Sequence, residues 1–121
     1  MSLSLFLRQQ MLRSQLEDRT LYVSLHSGDP GEDGDNELLG ISYRRQEATF
    51  GLDFESELNQ DVVSFIGLPA GLVTHTAIWD TRTGGNFLSG GPLDFPREVE
   101  VAGDGIFFRP RQIRISLLAG E

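Results

Sequence analysis

The sequence contains no cysteine and no lysine. The first absence excludes a disulfide framework and any thiolate metal site. The second leaves arginine as the only strong cation, with ten copies. Arginine forms planar, bidentate pairs at interfaces, where lysine would act as a solvated point charge. Long apolar runs are also missing. No basic segment follows Met1, and Leu5-Phe6-Leu7 is too short for a signal peptide or a membrane helix, so cytoplasmic synthesis is expected. Positive charge is in deficit: the net charge is −8, and ten of the eighteen acids lie between Asp29 and Asp61. Such a chain lacks the field that drives non-specific nucleic-acid binding. Neither free nucleic acid nor a membrane is expected as a partner.

At 121 residues the chain is expected to form a single domain, 1–121, with room for one hydrophobic core. Residues 3–17 have helical composition, without glycine or proline. At 100° per residue Leu5, Leu12 and Leu16 share one stripe, while Leu3, Leu7 and Met11 form a second on roughly the opposite side. One stripe serves to dock the helix on its own domain. The second is covered either by a neighbouring subunit or by a loop of the same chain.

From residue 20 to 118 the pattern is β. Leu21, Val23 and Leu25 alternate with Tyr22, Ser24 and His26, which makes Thr20–His26 a strand with its leucines and valine inward. A turn-rich exit leads into the acidic stretch 29–37, expected to be a mobile, solvated loop. Ile41 to Leu52 starts a second β region. The polar stretch Asp53–Gln60 is assigned no firm element. Val62–Ile66 is a third strand, with Phe65 in the core.

Val73-Thr74-His75-Thr76-Ala77-Ile78-Trp79-Asp80 looks central, since it carries the only tryptophan. Val73, Ala77 and Trp79 are expected on one side and Thr74, Thr76 and Ile78 on the other, with the indole plugging the core. Gly84 and Gly85 suit the turn before Phe87-Leu88. Pro92 and Pro96 argue for an edge or a loop. Short strands follow at Val99–Val101 and Ile106–Phe108. A closing strand runs from Gln112 to Leu118, with Ile113, Ile115 and Leu117 inward and Gln112, Arg114 and Ser116 outward. The tally is one N-terminal helix and seven or eight short strands: a mainly β fold, either a small antiparallel β-sandwich or a partly open barrel.

The chemistry-bearing residues do not assemble into a reaction centre. His26 and His75 are the only histidines, and their spacing matches no compact metal signature. The 29–37 loop offers oxygen ligands in an order unlike an EF-hand. No serine sits in an elbow motif, and the glycine pairs lack the strand-glycine-helix setting that cradles phosphate. No cofactor, metal or small-molecule ligand is indicated. What stands out is charge segregation. Arg44 and Arg45 form one basic patch, and Arg109, Arg111 and Arg114 a second. Either these arginines meet the acidic loop of a neighbour and fix the register of a ring or trimer, or they pair within the chain.

Four ordered pieces carry a family resemblance. They are the leucine-rich N-terminus running into Leu21–Gly31; Asn36-Glu37-Leu38 with Ile41–Gln46 and Ala48-Thr49-Phe50; Thr74–Asp80 followed by Gly84–Leu88; and Gly91-Pro92-Leu93, Val101–Gly105 and Ile113–Leu117. In this order they resemble small virion proteins of tailed bacteriophages and prophages, of the tail-fibre or minor tail type. Arg44 departs from the family's usual alanine in a Tyr-Ala-Arg-Gln run, and 53–60 is shorter and more acidic than its counterpart. The resemblance implies a structural, non-catalytic virion component that works by self-association or by contact with other virion proteins. The alternatives from the residues are a carbohydrate- or receptor-binding β module, which would present Tyr43 and Phe87 near its turns, and a small hydrolase built around His26 or His75.

Overall fold

A computed structural model describes residues 20–53 and 56–116, with the side chains of 52–53, 56–57 and 115–116 outside the description. Among these residues the architecture is all β and sandwich-like. Nine strands run in order: β1 Leu21–His26, β2 Gln46–Ala48, β3 Phe50–Asp53, β4 Ser56–Asn59, β5 Val63–Phe65, β6 Gly71–Trp79, β7 Phe87–Val99, β8 Ile106–Phe108 and β9 Arg114–Ser116. A four-stranded sheet has the order β2-β1-β6-β7, a three-stranded sheet β3-β4-β9, and β5 pairs with β8. All of these pairings are antiparallel. The expected helix over 3–17, with Leu3, Leu7 and Met11, lies outside the described residues, as does Leu117 and the Ile115 side chain.

The core forms where alternation along β1 meets its neighbours. Leu21, Val23 and Leu25 are fully buried and pack with Ala48, Phe50, Ile78 and Ile113. Phe65 stands at the centre, edge-on to Phe108 at 6.2 Å and stacked on Tyr43 at 6.5 Å. Aromatic pairs in these geometries add about 0.5–1.5 kcal/mol beyond the area they bury.

Three expectations are corrected and one is met. Asp53–Gln60 contains a strand, β4, whose partners β3 and β9 supply the ladder that its polar composition did not advertise. Pro92 and Pro96 lie on an edge strand, as expected: β7 runs through both at the open edge of its sheet. Its register against β6 breaks between Val73↔Arg97 and His75↔Pro92, so Leu93–Pro96 bulges outward where missing N–H groups do no harm. The expected strand at Val99–Val101 is only the end of β7, because Val101 lies in the bend that follows.

The third correction concerns Trp79. It is buried, yet it faces away from the main core. In the β1–β6 ladder Tyr22, Ser24 and His26 oppose Trp79, Ala77 and His75, while Val23 opposes Ile78. Directly opposed residues share a face. The core side of β6 is therefore that of Ile78, and Val73 joins the core across the register break. Trp79, Ala77 and His75 belong to the second face.

Candidate assembly surface and the polar face beneath it

The second face of the sheet carries a buried polar network. Ser24 and His26 are fully buried. The Trp79 indole N–H donates to Ser24 Oγ at 2.8 Å, and Ser24 Oγ lies 2.6 Å from His26 Nε2. On the far side of the ring, Nδ1 is 2.7 Å from the Asp35 carbonyl. A carbonyl only accepts, so Nδ1 carries the proton, and the neutral ring takes the Ser24 hydroxyl proton at Nε2. The chain Trp79→Ser24→His26→Asp35 is then satisfied at every link. Burial lowers the His26 pKa, partly offset by the Asp35 carbonyl and the Glu37 carboxylate, with His75 and Arg45 lowering it further. A serine beside a histidine resembles half of a nucleophilic site, but the serine is enclosed and the ring's other nitrogen ends on backbone.

The acidic stretch is exposed along most of its length, as its composition predicts, but Pro30, Gly34 and Glu37 turn inward and close it over this network as a lid. Ser27 N–H donates to the Asn36 carbonyl, and Gly34 and Asp35 N–H both donate to the Pro30 carbonyl. Pro30 is fully buried. Gly34, at φ 82°, lies flat on the indole: a Cβ there would meet Trp79 Cζ2 at 2.3 Å. A bridge between His26 and Glu37 ties the loop's end to β1.

Glu37 then reaches Arg45. The guanidinium donates through Nε and Nη2 to the two carboxylate oxygens, each at 3.0 Å, and through Nη1 to the carbonyls of Thr81 and Gly84. Its carbon sits 3.7 Å from the Trp79 ring centroid. Tyr43 Oη donates to Glu37 at 2.7 Å and accepts the Leu25 N–H. Burial by itself raises the Glu37 pKa, but the hydrogen bonds from Arg45 and Tyr43 and the Arg45 charge bring it below the usual range. Burial, together with the Glu37 carboxylate, holds the Tyr43 phenol well above its ordinary value. Arg45 is thus an internal pillar, 7 % exposed, and not half of a surface basic patch. Sequence reasoning missed this because one of two adjacent arginines points inward while Arg44 stays exposed.

Arg109 and Arg114 are exposed, as is Arg111, which adopts φ 71°. Their loop is built around Asn59, which is buried. Its amide donates to the Asp61 and Arg109 carbonyls and accepts the Ile113 N–H, while its backbone carbonyl accepts the Arg111 N–H. Tyr43 and Phe87, the aromatics that a glycan site would have presented, are packed on Phe65 and Trp79. No group of three or more His, Asp or Glu able to hold a metal occurs among the described residues.

Four exposed apolar residues, Leu39, Ile41, Ile66 and Val101, lie on connections that pack together. Three connections meet there: Ser42 packs on Gly67, Gly40 on Pro69, and Leu68 exchanges backbone hydrogen bonds with Gly103 and Asp104. Ile41 is 100 % exposed, Leu39 86 %, Ile66 75 % and Val101 62 %. Exposed apolar side chains brought together in this way are a candidate contact surface.

By class this is an all-β, sandwich-like protein whose polar face is covered by its own loop. The family described as podophage GP4 fiber I protein gp80 matches residues 3–116, and the chain belongs to that family. It is a non-catalytic structural protein of a phage tail or virion. No curated protein matches the chain.

Proposed function

We propose that the chain assembles copy to copy in the particle after synthesis in the host cytoplasm, and that its exposed apolar cluster makes one of the contacts. The observation that carries this is the placement of Ile41 and Ile66 on two connections locked together through Ser42 and Gly67. Covering these side chains recovers roughly 25 cal/mol per Å² of apolar surface. Arg44, exposed in the same surface hollow as Leu39, supplies a charged rim on that side. The Leu3, Leu7 and Met11 stripe of the expected N-terminal helix is a further contact for the same assembly.

The test is solution mass by light scattering. The parent chain is expected to form a discrete oligomer, and Ile41→Asp with Ile66→Asp to lower its order while leaving the circular dichroism spectrum unchanged. A 13.4 kDa parent monomer at every concentration and salt would overturn the reading, as would an oligomer indifferent to the double substitution.

A further inference from the structure

The core side of the four-stranded sheet keeps one polar group that the fold leaves unanswered. Thr76 opposes Leu25 in the β1–β6 ladder and so shares the core face. It is nine-tenths buried, at 9 % exposed, and its hydroxyl has no hydrogen-bond partner among the described residues. A buried hydroxyl left unbonded is destabilising, and native folds rarely keep one. Thr76 lines a cleft of about 230 Å³ beside open strand β7. Across the ladder from it stands Gly91, where a Cβ would meet nothing within 4 Å, so the space beside Thr76 is open.

The rest of the lining mixes apolar and hydrogen-bonding groups. Ile78, Leu93 and Ile113 supply the apolar part, and Ser89 a second hydroxyl. Gln112 adds an amide whose oxygen accepts the Arg109 N–H, leaving its NH2 group as a donor. Asp94 and Arg114 bring one charge of each sign, and Arg111 on the same wall already has a partner. Phe95, 78 % exposed, lines an adjoining hollow that shares Leu93, Asp94 and Gln112 with the cleft.

Each feature narrows the occupant. An apolar guest would leave Thr76 and Ser89 unbonded. An ion of either sign would meet charges that offset each other. The volume is below the about 300–1,000 Å³ of a drug-sized pocket, so the guest is a single small unit. A neutral pyranose satisfies all three conditions. Its hydroxyls donate and accept, as those of Thr76 and Ser89 do, and its C–H face suits Leu93 and the Phe95 ring.

We infer that the cleft beside Gly91 binds one neutral saccharide unit, held through its hydroxyls by Thr76 and Ser89, with Asp94, Gln112 and Arg114 around it. The wall is fixed before binding, because Asn59 holds the backbone of Arg109, Arg111 and Ile113. Little order is then lost to binding. The inference does not depend on the copy-to-copy reading.

Saturation-transfer difference NMR of the full chain tests it, with the methyl glycosides of glucose, galactose, mannose and N-acetylglucosamine as probes. At least one is expected to give a saturable signal. Thr76→Val keeps the shape and removes the hydroxyl. It is expected to weaken binding about tenfold, the worth of one hydrogen bond, and to leave the melting temperature unchanged or higher. Gly91→Leu fills the cleft and is expected to abolish binding, with circular dichroism showing the fold retained. Methyl glucuronide is expected to bind no more tightly than methyl glucoside. No saturable transfer from any of the four neutral probes would mean a cleft held by solvent alone and overturns the inference. So does binding that survives Thr76→Val and Gly91→Leu, a Thr76→Val variant that melts lower, or a clear preference for the glucuronide.

Discussion

Removal of the Arg45 side chain tests the account of the second face most directly. Arg45→Ala deletes four hydrogen bonds and the contact with Trp79, and leaves the Glu37 carboxylate under the lid without a counter-charge. An exposed ion pair would contribute about 0–1 kcal/mol. Truncating one partner of a buried pair costs about 3–5 kcal/mol, chiefly from the stranded charge. The side chains here are 8 % and 21 % exposed, and Tyr43 still donates to Glu37, so the low end applies: about 3 kcal/mol. For a domain of this size that lowers the melting temperature by about 12 °C.

Urea unfolding followed by the emission of the only tryptophan measures the loss, and the native-state spectrum should shift to the red as the guanidinium leaves the ring. The pH dependence adds a sign. In the parent, Glu37 is depressed in the folded state, so its contribution is fully present above the unfolded value near 4.5 and lost as pH falls through the lower folded value. Without Arg45, burial dominates and the folded pKa lies above 4.5. The variant then regains stability relative to the parent as pH falls through that window. Glu37→Gln in the Arg45→Ala background should recover part of the loss. A destabilisation below about 1 kcal/mol, or a variant whose deficit is the same at pH 7 and pH 4, would refute the reasoning.

His26 provides a second pH test. Its folded pKa is depressed, so its neutral form contributes stability in full above 6.5, and that contribution is lost as pH falls through the folded value. His26→Gln should flatten the stability profile below pH 6.5, read by denaturant titration at several pH values, at a cost of about 1–3 kcal/mol at neutral pH for disturbed buried hydrogen bonds. Asn59→Ala removes the amide under the arginine loop and should cost about 2–4 kcal/mol for several lost hydrogen bonds, with faster amide exchange at Ile113 as the local readout. Gly34→Ala drives a Cβ into the Trp79 ring at a left-handed backbone position, and should lower stability by more than about 2 kcal/mol in the same fluorescence assay.

The parts legible in the sequence are those in which one face is apolar and one polar. β1 announces itself because Leu21, Val23 and Leu25 alternate with residues that cannot share their environment. The hairpin after Trp79 is legible because Gly84 and Gly85 take the positive φ that the turn requires. Illegible are the elements whose identity depends on a partner far along the chain. Ser56–Asn59 becomes a strand only because β3 and β9 flank it. The lid is the sharper case. Asp29, Glu32, Asp33 and Asp35 read as solvent-loving and are exposed; what does not read from composition is that Pro30 and Gly34 pack on the sheet and that Glu37 finds its cation eight residues on. A signal was present nonetheless. Ser24 and His26 alternate with core residues on a strand otherwise built for burial, and a large indole on the neighbouring strand needs a hydrogen-bond acceptor.

That buried polar face bears on assembly. An apolar lid would bury as much surface but could slide over the indole, since hydrophobic contact has no preferred direction. The lid found here is fixed at named atoms: Nδ1 of His26 on the Asp35 carbonyl, the Asn36 amide on the Asp29 carbonyl, and both oxygens of Glu37 on Arg45. Each bond constrains where Glu32 and Asp33 project. Asn59 does the same for the arginines beyond the opposite face of the sheet. A structural protein that works by contacts with other proteins benefits from a loop held this firmly, because slack in the loop would be slack in any contact it made. The same logic accounts for the burial of one arginine in so acidic a chain: Arg45 pairs with Glu37 at the end of the loop and so fixes where the loop's exposed carboxylates project.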